Sequence, residues 1–124
     1  MPEPVLVVED DPDVREVMMA IVESEGHRAV AAENGDEALQ LLRAGLHPCL
    51  ILLDLMMPVK DGWEFRAEQK TDPALASIPT IIVSAVGRHS IEALQPTATL
   101  EKPIDYDQLT RLLKRHCITN HLFP

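Results

Sequence analysis

The chain has 124 residues, 46% hydrophobic and 25% charged, with a formal net charge of -9 at pH 7. That length makes one domain that buries a core without metal or disulfide support. The acidic balance argues against direct binding of nucleic acid or anionic membrane, and no apolar run approaches the length of a bilayer span. Protein partners and small ligands remain.

Pro2, Glu3 and Pro4 stand where a secretory signal would carry a basic start and an apolar stretch. Val5 to Val8 is an all-apolar run that ends on Glu9, Asp10 and Asp11, the pattern of a buried strand that meets carboxylates at its carboxyl end. Asp11-Pro12 is a helix start, with a side-chain oxygen as cap and a residue that needs no donor at the first position. Val14, Val17, Met18, Ile21 and Val22 follow as one apolar face, and Gly26 ends the helix. Arg28 to Ala31 reads as a weaker strand. Asn34-Gly35 leads to a helix over 36–44 with Ala38, Leu41 and Leu42 inward and Gly45 as its stop.

Cys49, Leu50, Ile51, Leu52 and Leu53 form a second uninterrupted apolar run, the signature of a central strand covered on both faces, and it stops at Asp54. Met56-Met57-Pro58 and the turn residues Asp61-Gly62 come next. Trp63 to Lys70 reads as a helix closed by Thr71-Asp72-Pro73. Ile78 to Val83 is a third buried strand and delivers Ser84 to the same sheet end. The stretch from Val86 to Thr97 leaves room for a helix of two turns at most between Gly87 and Pro96. Ala98 to Leu100 is a brief last strand before Lys102-Pro103. Asp105 and Gln108 have capping-box spacing ahead of a final helix to His116 with Leu109, Leu112 and Leu113 inward.

Strand and helix alternate five times, which predicts a three-layer α/β/α sandwich around a parallel five-stranded sheet. The expectation is one domain over 1–124, its core about 4–117 and residues 118–124 a tail. Cys49 and Cys117 lack CxxC or Cys/His spacing and read as reduced thiols of a cytoplasmic protein rather than a disulfide. The five histidines, His27 among them, read as surface, and Trp63 as a partly buried cover on the sheet.

Glu9, Asp10, Asp54, Ser84 and Lys102 all follow strands, and in a parallel sheet those ends converge on one edge, where ligands bind. Three crowded carboxylates call for a cation, and an oxygen-only, hydrated site favours Mg²⁺. A metal, an ammonium and a hydroxyl around a carboxylate nucleophile are what formation of an acyl phosphate needs.

The segments VLVVEDDPDVRE, LILLDLMMPVKDGWEF, IPTIIVSA and EKP resemble the four signature segments of the receiver domain of bacterial two-component response regulators, in the same order and over nearly the whole chain. The resemblance implies a flavodoxin-like sheet of order 2-1-3-4-5. It implies that Asp54 accepts a phosphoryl group from a histidine kinase or phosphotransfer protein in a Mg²⁺-dependent reaction. By position Asp10 would bind the metal directly, Glu9 through water, and Asp54 and the Met56 carbonyl would complete the set. Ser84 would be the switch hydroxyl and Lys102 the cation on the phosphoryl group, with a cis bond to Pro103. Such a module signals through a downstream protein target and catalyses only its own phosphorylation and dephosphorylation. Two departures stand out: Thr99 occupies the place of the aromatic residue three before Lys-Pro, and the stretch from Ser84 to Lys102 is short. They motivate an alternative, a phosphorylation-independent interaction domain of the same fold. Mg²⁺ phosphatases of the haloacid-dehalogenase kind also use a strand-end Asp, but place a second Asp where this chain has Met56.

Overall fold

A computed structural model describes residues 3–85 and 91–117. The chain runs β1 (Val5–Val8), α1 (Pro12–Ser24), β2 (Ala29–Ala32), α2 (Gly35–Arg43), β3 (Leu50–Asp54), α3 (Gly62–Thr71), β4 (Thr80–Ser84), a 3-10 turn (Glu92–Leu94), β5 (Ala98–Glu101) and α4 (Tyr106–His116). All strands are parallel, in the order β2-β1-β3-β4-β5. This is the flavodoxin-like sheet implied by the sequence resemblance.

The uninterrupted apolar runs explain why β1, β3 and β4 lie inside. Successive residues of a strand face opposite sides, so a strand covered on both faces must be apolar throughout. Val5, Val7, Leu50, Leu52, Ile81 and Val83 face α1 and α4, where Met18, Val22, Leu109 and Leu113 meet them. Leu6, Val8, Ile51, Leu53 and Ile82 face the other layer, with Leu39 and Leu42 of α2 and Phe65 of α3. Helix starts follow local chemistry. Asp11 accepts from the Asp13 and Val14 amides, and Asn34 from that of Glu37. The reciprocal capping box belongs to Asp61 and Glu64, whose side chains bond each other's amides at 2.9 and 3.1 Å; Asp105 caps α4 through the Gln108 amide.

Four sequence expectations need correction. Cys49 and Cys117 are joined in a disulfide, not free. They are 68 residues apart, beyond any local motif, but the start of β3 and the C-cap of α4 meet on one sheet face with a Cα–Cα distance of 5.6 Å, within bridging range. His27 is buried, at 5% exposure, in the turn after α1, where its amide donates to the Val22 carbonyl at 3.3 Å. Val17 is 54% exposed, and of the expected α1 face only Met18, Ile21 and Val22 are fully buried. In α2 it is Leu39, with Leu42, that is fully inserted, Leu41 packing only at the margin. Of the helix expected between β4 and β5, the described residues include Ile91, which is helical, and the 3-10 turn after it, while residues 86–90 and the tail 118–124 lie outside them.

The short crossover is held by a buried polar clamp that periodicity did not reveal. Arg66 of α3 donates to the Leu94 and Gln95 carbonyls at 2.9 and 2.7 Å and to Gln69 Oε1 at 2.8 Å. Gln69 in turn donates to the Leu75 and Ile78 carbonyls and to Thr80. Burial lowers the Arg66 pKa, so its charge is sustained by carbonyl dipoles. Arg66→Met is expected to leave those acceptors unmet and cost about 2–3 kcal/mol in urea unfolding. An unchanged midpoint would remove the clamp's structural role.

Candidate functional site

Strand register assembles the site. Val8 pairs with Leu53, so the next residues, Glu9 and Asp54, emerge side by side. Asp54 also pairs with Val83, and Ser84 with Glu101, which carries Ser84 and Lys102 to the same edge. One ligand oxygen each from Glu9, Asp10 and Asp54 lies within 4.8 Å of the others. Glu9 is fully buried, Asp54 3% exposed, and Asp10 open to solvent.

Lys102 Nζ donates to Glu9 Oε1 at 2.7 Å and stands 3.4 Å from Asp54 Oδ1. This ammonium, the one the resemblance assigns to the phosphoryl group, bridges two carboxylates of the site. Ser84 is buried at the end of β4, and its carbonyl accepts the Lys102 amide at 3.2 Å. Met56 is 64% exposed beside Asp10, and these two with Met57, Pro58 and Asp61 line a hollow of about 300 Å³. The register thus brings Glu9, Asp10, Asp54, Ser84, Lys102 and the Met56 backbone to one sheet edge.

Two supporting residues escaped the sequence reading. Arg15, one turn into α1, donates to the Glu9 carbonyl at 2.8 Å and that of Asp10 at 3.4 Å, and so fixes the acidic loop. Gly62 donates its amide to the Leu55 carbonyl at 2.9 Å, and a Cβ there would come 2.4 Å from the Asp54 carbonyl oxygen. A helix-face cation so near the acids was the signal for Arg15. Gly62 carried only a turn signal.

The charges do not balance. Burial pushes the Glu9 carboxyl up to about 7, with Asp54 adding to the rise, against hydrogen bonds from Lys102 and the Asp11 amide that lower it. For Lys102, burial works against the ammonium, but the Glu9 hydrogen bond and the charges of Asp54 and Glu9 outweigh it and raise the pKa. An all-oxygen donor set with a carboxylate held partly protonated fits a hard divalent cation.

The sign of the Glu9 effect is fixed. Between the unfolded and folded pKa values the folded protein keeps a proton that the unfolded chain has released, so stability falls as pH rises from the ordinary carboxylate range to about 7. In chelator, Glu9→Gln should gain on wild type by on the order of 2–3 kcal/mol between about pH 5 and pH 8. Parallel stability curves for the two proteins in urea would contradict this.

Known proteins share both the sequence and the fold. The response regulator receiver domain family model matches residues 5–114. Protein Rrf1 of Nitratidesulfovibrio vulgaris is 31% identical over 121 residues, covering 96% of this chain and 86% of its own. Response regulator Rre1 of Synechocystis sp. is 36% identical over 121 residues, covering 92% of this chain and 52% of its own. Among solved structures, the response regulator TrrA of Thermotoga maritima, in complex with Mg²⁺-BeF, has a TM-score of 0.81 at 28% identity over 91% of this chain and 97% of that one. A family match over residues 5–114, on a sheet ordered 2-1-3-4-5 whose acidic edge follows from register, makes this chain a member of the response regulator receiver domain family.

Proposed function

We propose that the protein is a signalling module of the two-component kind, a phosphoprotein in the cytoplasm that accepts a phosphoryl group on Asp54 from a histidine kinase or phosphotransfer protein. The observation that carries this is Asp54 at the open end of β3 with Lys102 Nζ 3.4 Å from its Oδ1. The Asp54 oxygen attacks phosphorus as the donor's P–N bond breaks, the leaving imidazole keeps its electron pair, and an acyl phosphate forms. Lys102 is a catalytic residue whose charge, already bound to this pocket, turns toward the incoming phosphoryl oxygens. Ser84 would donate its hydroxyl to one of those oxygens. Asp10, Asp54 and the Met56 carbonyl would hold Mg²⁺, with Glu9 acting through water; when bound, the ion offsets the negative charge of carboxylate and phosphoryl group. The module turns over no external substrate and catalyses only its own phosphorylation and dephosphorylation. Its readout is contact with a downstream protein.

A second reading draws on Thr99, partly buried on β5 where an aromatic switch partner would stand: the domain binds its partner irrespective of phosphorylation. Backbone NMR in Mg²⁺ with a small phosphodonor separates the two. Shifts that spread from Asp54 to Thr99 and Leu112 are expected. Shifts confined to the acidic pocket would favour the second reading, and none at all would sink the first.

A further inference from the structure

The Cys49–Cys117 bridge lies at the end of the sheet remote from Asp54, so phosphoryl chemistry makes no use of it. Cys49 immediately precedes β3 and Cys117 caps α4. We propose that this pair is a reversible thiol–disulfide exchange site, reduced by dithiols and reoxidised by small disulfides, which controls how firmly the last turn of α4 is held. The inference rests on the cytoplasmic placement included in the proposed function, since disulfides in that compartment are mostly transient and redox-responsive.

Three observations support exchange over a fixed staple. Cys117 is buried while Cys49 is partly exposed, so an attacking thiolate has one sulfur to reach. Cys49 Sγ lies 3.6 Å from both the Glu3 and Pro4 carbonyl oxygens, which makes acceptors ready for an S–H once the bridge opens. The backbone at each cysteine is anchored independently, with the Cys49 amide on the Pro4 carbonyl at 2.9 Å and the Cys117 amide on the Leu113 carbonyl at 2.8 Å. The backbone bonds at both cysteines therefore do not need the bridge, and an opened Cys49 thiol has acceptors at hand.

In reduction, a dithiol's thiolate attacks Cys49 Sγ, the S–S bond breaks, and the Cys117 thiolate leaves and takes a proton. The dithiol's second thiolate then attacks the mixed disulfide and releases Cys49 as a thiol; two electrons and two protons have passed to the pair, and the dithiol has become a disulfide. Oxidised glutathione reverses this through a mixed disulfide on Cys49, with two glutathione thiols released.

The test treats the native chain with dithiothreitol and then oxidised glutathione, follows alkylatable thiols by intact mass, and reads amide exchange and far-UV circular dichroism. Expected are two thiols after reduction, none after reoxidation, a native spectrum throughout, and amide exchange faster by about tenfold or more at Arg115, His116 and Cys117 in the reduced form. A bridge that resists dithiothreitol without denaturant, unfolding on reduction, unchanged exchange, or thiols that never pair would each overturn the proposal. As a second arm, Cys117→Ser should take one glutathione on Cys49 at least about tenfold faster than Cys49→Ser takes one on Cys117, and equal rates would count against it. Asp54→Asn should behave as wild type in every redox readout, so a failure of the phosphoryl reading leaves this result standing.

Discussion

Gly62→Ala is expected to disable phosphoryl acceptance at Asp54 and to cost about 3 kcal/mol of stability. The added Cβ would fall 2.4 Å from the Asp54 carbonyl oxygen, 2.7 Å from Leu55 Cα and 2.8 Å from Leu55 Cδ2. Two of those three atoms are backbone, and Asp54 is the last residue of a buried central strand. Neither can yield without moving the acceptor carboxylate relative to Glu9 and Lys102. The Gly62 amide also closes the loop onto the Leu55 carbonyl, so retreat of the helix start breaks a hydrogen bond. Urea unfolding and phosphoryl incorporation measured together check this. A variant of wild-type stability and reactivity would show that the contact relaxes freely.

The second large effect is on global stability. Opening the bridge by reduction, or by Cys49→Ser with Cys117→Ser, is expected to lower the unfolding free energy by about 4 kcal/mol, because it releases a loop of 68 residues in the unfolded chain. The melting temperature should fall by on the order of 15 °C. The core cluster facing α2 and α3 contains neither cysteine, and Cys117 is, among the described residues, one of thirteen buried members of the cluster facing α1 and α4, so the reduced protein should still fold cooperatively. Denaturation with and without reductant gives the comparison, and coincident curves would refute the assignment.

The fold was legible because its strongest signals are local. Leu50 to Leu53 and Val5 to Val8 have no polar residue to turn outward, and this alone calls for cover on both faces. Asp11, Asn34 and Asp105 cap helices through their own near amides, so sequence neighbours suffice to find them. The site residues were legible for the same reason, as each lies at or within two residues of the carboxyl end of a strand. What escaped depends on distance through space. Nothing near Cys49 signals Cys117, and only the packing of α4 beside β3 joins them. Arg66 and Gln69 read as polar helix surface, because their acceptors lie elsewhere in the chain: the Leu94 and Gln95 carbonyls for Arg66, and Leu75, Ile78 and Thr80 for Gln69. His27 likewise reads as surface, because nothing in its sequence neighbourhood signals the burial that the fold gives it. The Lys102–Glu9 bond spans 93 residues and shows how three acids share one edge with a single ammonium among the described residues.

The proposed function makes Asp54 the phosphoryl acceptor of a cation-dependent pocket. Intact mass after incubation with Mg²⁺ and acetyl phosphate, alongside Asp54→Asn and a chelator control, tests it most directly. One phosphoryl adduct is expected on the wild-type chain, lost in Asp54→Asn and lost again when the metal is chelated. An adduct that survives either control, or no adduct where an ordinary receiver is modified, would contradict it.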